Sequence, residues 1–407
     1  MHTKRNSSAA NRPLFLFLIA RVLIALATQM LTIAVGWQMY ALTGSPFYLG
    51  LIGLAQFFPM FLLTLVVGYA ADRYDRRIII CICQMVECAA VLVLALGSFR
   101  GWLTKEGILA IVFLIGSANA FLNPSLQAML PNIVPKELFP NAAASSTSVF
   151  HSAVIVGPAL GGMLYSLGPE VVYIIIAALA FSGAMLVLFI SFIKGYAKAE
   201  PATIQTIFKG ISFIKSRPEI LGAISLDLFA VLFGGATALL PVFADTVLHI
   251  GSFGLGLLRS APAAGAMIVS AYLARRPLQT KVGHKMFVAV AVFGISTVLF
   301  ALSTSLFLSL AILVVMGAAN VVSVVIRSTL IQLMTPDNMR GRVSSVNSLF
   351  TGTSNQLGEF ESGLTSAWFG VVPAVVIGGI GTLVVALWWI KLFPGLYRVD
   401  RLKAGEN

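Results

Sequence analysis

The sequence is poor in charged side chains, in histidine and in cysteine, and each shortage excludes a class of protein. Only 10% of the 407 residues are charged, whereas soluble domains carry about 25%. The chain has four histidines and three cysteines, and Cys81, Cys83 and Cys88 are clustered in one apolar segment. An odd, clustered set of cysteines is not a disulfide framework. A soluble enzyme and a secreted disulfide-bonded domain are excluded, and we expect neither a metal site nor a cofactor.

Apolar residues are abundant instead. They make up 58% of the chain, and its mean hydropathy is +0.94. A membrane-spanning helix needs about 20 apolar residues. Apolar runs bounded by glycine, proline and charged residues predict an all-α membrane protein with twelve transmembrane helices. The predicted spans are 14–42, 48–71, 78–98, 106–130, 138–167, 170–193, 219–248, 252–274, 285–303, 306–334, 339–368 and 371–393.

The positive charge predicts the orientation in the membrane. The net charge is +12, and 22 of the 27 lysines and arginines fall on one side if the N-terminus is cytoplasmic. Only Arg100 and Lys105 fall on the other side. Because cytoplasmic loops accumulate lysine and arginine, we expect both termini to be cytoplasmic in a multi-pass protein of the inner membrane. The basic charge then faces the lipid bilayer, and we expect no nucleic-acid partner.

The chain repeats itself after about 200 residues. Gly116-Ser117-Ala118-Asn119 recurs as Gly317-Ala318-Ala319-Asn320, and Ser145-Ser146 recurs as Ser344-Ser345. Two halves of six spans share one orientation in such a repeat. We therefore predict an N-terminal six-helix bundle (1–193), a cytoplasmic linker (194–218) and a C-terminal six-helix bundle with a cytoplasmic tail (219–407). Within the linker, residues 203–215 alternate apolar and basic residues at helical spacing, which predicts a helix on the membrane surface; a disordered loop is the alternative.

Two motifs resemble those of a known family. Residues 68–77 (GYAADRYDRR) resemble the G-x-x-x-D-R-x-x-R-R signature of the major facilitator superfamily. Residues 157–162 (GPALGG) resemble the G-P-x-x-G-G motif of its exporters. The chain is similar to the drug and siderophore exporter branch that holds the enterobactin exporter and macrolide-efflux pumps. The resemblance implies the major facilitator fold, two pseudo-symmetric six-helix bundles and secondary transport.

The resemblance also implies roles for the two motifs. Asp72 would face the N-terminus of span 11, where the helix dipole favours an anion, and so hold the cytoplasmic side shut; alternatively the turn only fixes topology. The span-5 glycines allow a partner helix to approach closely and its proline bends the helix, which suits a hinge; ordinary packing is the alternative. The gating candidates are Gly68, Asp72, Arg73, Arg76 and Arg77, and the hinge candidates are Gly157, Pro158, Gly161 and Gly162.

Seven ionisable residues lie well inside predicted spans, where each is costly and should find a partner. They are Arg21, Glu87, Asp227, Arg259, Arg327, Glu359 and Glu361. Their depth suggests that Arg21 pairs with Glu87, Asp227 with Arg327, and Arg259 with Glu359 or Glu361. The set contains three cations and four carboxylates. One acid is therefore left without a cation unless His151 or a cationic substrate pairs with it.

A surplus carboxylate can take up and release protons. Glu359 is the favoured coupling residue, since it takes the position of Pro158 at an offset of 201 residues. The alternatives are that Glu359 forms a structural ion pair, or that Asp227 or Glu87 is the coupling residue. His151 could transfer protons, and an ordinary packed histidine is the alternative. Predicted span 4 lacks the arginine that many drug/proton antiporters of the superfamily carry. The proton relay of those antiporters therefore cannot be assigned to residues of this chain. The candidate cavity residues are Thr28, Gln29, Thr32, Asn119, Asn123, Asn320, Ser323 and Asn355.

The sequence lacks a Walker A motif, H-E-x-x-H and G-x-S-x-G, so we expect an ion gradient to supply the energy. The prediction is a monomeric, proton-coupled exporter of a small amphiphilic solute, either a siderophore or a hydrophobic drug such as a macrolide, that works by alternating access. A metabolite or metal-ion carrier of the same fold is the alternative. A membrane enzyme or receptor would need a nucleophile constellation or an output domain, which the sequence does not show.

Overall fold

The computed structural model describes residues 3–192, 204–276, 278 and 280–400, with side chains except at 3–11, 64–65, 68–72, 136, 204–207 and 337–338. Within these ranges every regular element is a helix. The α-helices are α1 (Thr3–Thr43), α2 (Pro46–Arg73), α3 (Arg76–Arg100), α4 (Lys105–Ile133), α5 (Phe139–Tyr165), α6 (Pro169–Leu188), α7 (Ile204–Ser216), α8 (Pro218–Phe233), α9 (Leu240–Val242), α10 (Gly251–Arg275), α11 (Val282–Leu302), α12 (Leu306–Met334), α13 (Asp337–Phe369), α14 (Val371–Leu392) and α15 (Pro394–Tyr397).

Eleven helical segments of the described chain are long and apolar enough to cross a membrane. The twelfth predicted span, 339–368, is occupied by α13, which has 33 residues but is not among these eleven segments. Its composition explains the difference, because asparagine, serine, threonine and glutamate run along much of its length. The helix is therefore present where it was predicted, although hydropathy alone does not identify it as a span.

Capping residues fix both ends of α3 and the start of α4. Asp75 accepts a hydrogen bond from the Arg77 amide at 2.8 Å and so caps the start of α3. Gly101 ends α3 with a φ of 70°, a left-handed conformation that glycine adopts without strain. Thr104 then caps α4 by accepting from the Gly107 amide at 3.1 Å. The two helices can therefore reverse direction within four residues.

The predicted span 219–248 is interrupted. Helix α8 ends at Phe233, and a 3-10 turn (Gly235–Leu239), α9 and a π-helical turn (Phe243–Val247) follow. Pro241 has no amide hydrogen to donate, and Gly234 and Gly235 weaken the helix before it. A Cβ atom on Gly235 would meet the backbone carbonyl of Gly358, so this position also brings two backbones close together.

The first of two compact units contains residues 1–43, 58–202 and 251–256. In it, α1 packs mainly against α5 and α6, and α3 packs against α4 and α6. Its core joins α1, α3, α4 and α6 through buried side chains that include Phe17, Ile80, Leu122 and Val187.

The second unit contains residues 44–57, 203–250 and 257–407. In it, α11 packs against α12 and α14, and α13 packs against α7 and α8. The contacts thus assign the start of α2 to the second unit and residues 251–256 to the first. The bundles of 1–193 and 219–407 that the sequence repeat suggests stay a prediction.

The linker contains the predicted helix. Helix α7 covers Ile204–Ser216, close to the expected 203–215, whereas residues 193–203 lie outside the described chain. Gly210 lies against the backbone of Arg342 and the side chain of Val346 on α13, and Ile214 is buried. Phe208 is exposed. The helix is confirmed, and its contact with the membrane surface stays a prediction.

Candidate functional site: buried charges and close helix crossings

A buried ion pair joins α8 and α12. The Nη1 atom of Arg327 lies 2.7 Å from Oδ2 of Asp227, and both side chains are buried. The same nitrogen donates to Thr351 Oγ1 at 3.0 Å and to Asn347 Oδ1 at 3.3 Å on α13. The arginine therefore links three helices of the second unit. This is the pairing that the depth of the two residues suggested.

A small cavity lies beside this ion pair. Asp227, Asn320 and Ser323 line it together with apolar side chains of α8, α11 and α12. The Ser323 hydroxyl is buried and has no hydrogen-bond partner among the described residues. Asn320 and Ser323, both candidate cavity residues, are thus brought together with Asp227.

A second pair of opposite charges joins α10 and α13. The Nη2 atom of Arg259 lies 3.8 Å from Glu359 Oε1, and its Nη1 donates to the Thr237 carbonyl at 2.8 Å. Both side chains are roughly three-quarters buried. Gly53 of α2 leaves room for the acid, since a Cβ atom there would lie 2.9 Å from Glu359 Cβ. Glu359 therefore has a cation beside it and is not the surplus acid.

Glu361 does not share Arg259, so that part of the expected pairing is wrong. Its carboxylate accepts a hydrogen bond from Thr365 at 2.8 Å, and the Ser362 hydroxyl lies 3.5 Å away. Both hydroxyls come from its own helix. The reason is helical geometry: Glu359 and Glu361 are two residues apart and point in different directions.

The expected pair of Arg21 and Glu87 is also wrong. The Arg21 guanidinium lies over the Phe150 ring, 5.2 Å from its centroid. Glu87 is buried on α3 and accepts a hydrogen bond from Gln84 Nε2 at 2.8 Å. Depth alone suggested the pair, but α1 packs mainly against α5 and α6, whereas α3 packs against α4 and α6.

The arginines of the predicted gating motif bind backbone carbonyls of the first unit. Arg76 donates to the Ala128 carbonyl at 2.6 Å. Arg77 donates to the Ile190 carbonyl at 2.9 Å, lies 2.7 Å from Asp75 Oδ2 and stacks over Phe192. These contacts hold the start of α3 against α4 and against the residues that follow α6. Arg73 is exposed, and neither the surroundings of Gly68 nor the side chain of Asp72 is described, so the gating role stays a prediction.

The predicted hinge glycines all lie at close helix contacts. Gly157 faces the Gln29 side chain, and Gly161 faces the Met30 backbone. Gly162 lies against the Ser252 carbonyl and Gly256. The Pro158 carbonyl in turn faces Gly256. Glycines that let two backbones touch are the usual basis of tight packing between membrane helices.

The second unit contains a matching crossing. Gly50 of α2 lies against the backbone of Phe360 and Gly363 on α13, where a Cβ atom would approach to about 3 Å. Gly363 is the counterpart of Gly162 at an offset of 201 residues. The sequence reasoning missed Gly50, Gly53 and Gly256. Their spacing, Gly50-x-x-Gly53 and Ser252-x-x-x-Gly256, is the signal that could have identified them.

The remaining candidates are not gathered into a described cavity and stay predictions. Thr28 and Thr32 donate to carbonyls of their own helix at 3.0 Å. His151 is exposed next to Phe150, Asn119 is half-buried, and Asn123 and Asn355 are exposed. Among the described residues, no group of three His, Cys, Asp or Glu side chains is placed to hold a metal ion.

A family profile described as transmembrane secretion effector matches residues 10–400. The chain belongs to this family of major facilitator transporters. A secretion effector of this kind is a membrane transporter of small molecules, which agrees with the long apolar helices of the described chain.

Similar proteins include exporters. The enterobactin exporter of Citrobacter koseri is 25% identical over 394 residues, which cover 93% of this chain and 91% of that protein. The enterobactin exporter of Escherichia coli O1:K1 is 23% identical over 385 residues, with the same coverage. An uncharacterized MFS-type transporter of Sinorhizobium fredii is 26% identical over 249 residues, and the match spans 62% of its length.

Solved structures of the superfamily share the fold of this secretion effector. A bacterial homolog of the human lysosomal transporter Spinster has a TM-score of 0.74 at 13% identity over 96% of each chain. A point mutant of the nucleoside transporter NupG has a TM-score of 0.72 at 16% identity, covering 94% of this chain and all of that one. At these identities the likeness concerns the fold alone.

Proposed function

We propose that this secretion effector exports a small amphiphilic organic solute of the siderophore class across the inner membrane in exchange for protons. The observation that carries the proposal is the similarity to enterobactin exporters, which extends over 93% of the chain. The motif Gly157–Gly162 supports the outward direction of transport, because it resembles the G-P-x-x-G-G motif of the superfamily's exporters.

An ion gradient is the proposed energy source, because the chain has no nucleotide-binding motif. We propose protons as the coupling ion because buried carboxylates can bind and release them. Asp227 and Glu359 each have an arginine beside them, whereas the described contacts of Glu87 and Glu361 are an amide and hydroxyl groups. The acids without a described cation are the better carriers, since nothing in these contacts fixes their negative charge.

The transport cycle we propose is alternating access, in which the two bundles rock about a central cavity. The glycine crossings of α5 and of α2 with α13 would serve as pivots, since small residues let helices slide and tilt at backbone distance. Both termini would lie in the cytoplasm, with the arginines of 73–77 at the cytoplasmic surface and Asp72 closing that side. We expect one chain, working as a monomer, to complete the cycle.

Secretion by a strain that lacks the gene tests the proposed substrate class. We expect less siderophore in the medium and more in the cells, restored by the wild-type gene. Gly162→Ala should restore secretion poorly, because its Cβ atom would meet the Ser252 carbonyl. Gly341→Ala is the matched control, since a Cβ atom there has nothing within 4 Å. Unchanged secretion in the deletion strain would contradict the proposal.

A hydrophobic drug is the second candidate substrate. The observation that favours it is the exporter motif at Gly157–Gly162, which resembles that of drug exporters, together with the largely apolar spans. The same deletion strain separates the two. Increased susceptibility to a macrolide with normal siderophore secretion would favour the drug, and reduced secretion with normal susceptibility would favour the siderophore.

A further inference from the structure

Gln84 and Glu87 form a polar pair in the middle of α3. Their exposed fractions are 0% and 1%. Gln84 Nε2 donates to Glu87 Oε2 at 2.8 Å. The two residues are three positions apart on one helix, so they lie on the same buried face as Cys83 and Cys88.

The other oxygen of each side chain has no partner in the described part of the chain. Gln84 Oε1 and Glu87 Oε1 are both buried and accept no hydrogen bond from any described residue. An ionised Glu87 leaves two buried acceptors without a donor, an arrangement that folded proteins avoid. A proton on Glu87 Oε1 turns that atom into a donor. The acid then has a hydrogen to give, and the amide oxygen of Gln84 is an acceptor that needs one.

No cation among the described residues is placed to stabilise an ionised Glu87. The described charged residues of the two helices packed against α3 stand at their first turns: Lys105 and Glu106 on α4, and Glu170 on α6. Tyr173 of α6 also titrates, but its hydroxyl donates to Gln38. The titratable neighbours on α3 itself are Cys83 and Cys88.

The three other acids that the sequence analysis places well inside the spans are held differently. Asp227 and Glu359 each lie beside an arginine. Glu361 is only partly buried and accepts from a hydroxyl. Glu87 combines full burial with a single amide donor, which fits an acid that holds a proton.

We propose that Glu87 is a proton-binding site and that, in its neutral form, it pairs with Gln84 as a carboxylic acid with an amide. Release transfers the proton from Oε1 to water and leaves the carboxylate held by Gln84 Nε2; uptake reverses this step. We further propose that this is the proton exchanged for solute, a part that rests on the function proposed above.

Infrared spectroscopy of the full chain in lipid tests the protonated state without any substrate. Wild type should show the C=O stretching band of a protonated carboxylic acid, shifted by exchange into D2O. Glu87→Gln should remove this band. Glu106→Gln, which removes an exposed carboxylate, should leave it. The same band in wild type and Glu87→Gln would overturn the proposal.

A second variant keeps Glu87 in place and covers the case in which Glu87→Gln does not fold. Gln84→Met removes the amide from the pair, so the band should persist and move to higher frequency as the acid loses its hydrogen-bond partner. A band that does not move would contradict the acid–amide pair.

Transport in proteoliposomes tests the second part, with enterobactin as the probe. A pH gradient should accelerate the movement of enterobactin by the wild-type protein and should not accelerate its movement by Glu87→Gln. Acceleration equal to wild type would overturn the coupling role. Failure of wild type itself to move enterobactin would instead contradict the proposed substrate, and the infrared result would stand independently.

Discussion

The two units handle buried charge in different ways. In the second unit, Asp227 and Glu359 each lie beside an arginine contributed by another helix. In the first unit, Arg21 lies over an aromatic ring and Glu87 rests against an amide on its own helix. Ion pairs between helices hold those helices against each other. An acid whose partner is an amide, as Glu87 is with Gln84, can change its charge without breaking a salt bridge. The second unit therefore joins its helices through ion pairs, whereas the first contains the acid that we propose as a proton-binding site.

The largest expected effect comes from breaking the buried pair of the second unit. Arg327→Leu leaves Asp227 as an uncompensated buried charge and removes the bonds to Asn347 and Thr351. Removing one partner of a buried pair costs about 3–5 kcal/mol. Thermal unfolding of the purified protein measures the loss.

The double variant Asp227→Leu/Arg327→Leu is the control for this prediction. It removes both charges at once, so it should regain much of the lost stability. A single variant as stable as wild type would show that the pair does not hold α8 and α12 together.

A smaller effect is expected from removing the amide in the first unit. Gln84→Leu leaves the buried Glu87 without its hydrogen-bond donor. An unsatisfied buried polar group costs about 1–3 kcal/mol. Gln332→Leu, at an exposed position on α12, is the control and should change the unfolding temperature little. Equal effects of the two variants would count against a specific role for Gln84.

Glu359→Gln should lower the stability less than Arg327→Leu does. The reason is geometric: Arg259 lies 3.8 Å from the acid and keeps its 2.8 Å bond to the Thr237 carbonyl. The variant should fold, and comparison of its unfolding with that of Arg327→Leu measures the contrast between the two pairs. A loss as large as that of Arg327→Leu would make the two pairs equivalent.

The smallest effect should come from the aromatic partner of Arg21. Phe150→Leu removes a ring that lies 5.2 Å from the guanidinium, and an arginine–ring contact contributes about 0.5–1 kcal/mol. Phe99→Leu, at an exposed position, controls for the loss of a ring. If both variants unfold at the same temperature, the ring does not stabilise Arg21.

Much of this arrangement could be predicted from the sequence, and the failures have a physical cause. Apolar length located most of the helices, and α13 lies at the predicted span 339–368 although polar residues run along much of its length. Depth along the membrane normal suggested the pair of Asp227 and Arg327, whose helices α8 and α12 are neighbours. The same argument failed for Arg21 and Glu87, because depth does not say which helices touch.

Local signals explain two further differences. The interruption after Phe233 follows from Gly234, Gly235 and Pro241, which are visible in the sequence but lie inside one long apolar run. The pair of Gln84 and Glu87 could also have been found, since residues three apart on a helix meet on one face. The expectation of a partner on another helix concealed it.

Movement of enterobactin in proteoliposomes under an imposed pH gradient tests the central claim of proton-driven export most directly. The account predicts that the wild-type protein moves enterobactin in the direction opposite to proton flow, and that a protonophore abolishes the acceleration. Transport at the same rate with and without the gradient, by a protein shown to be folded, would contradict it.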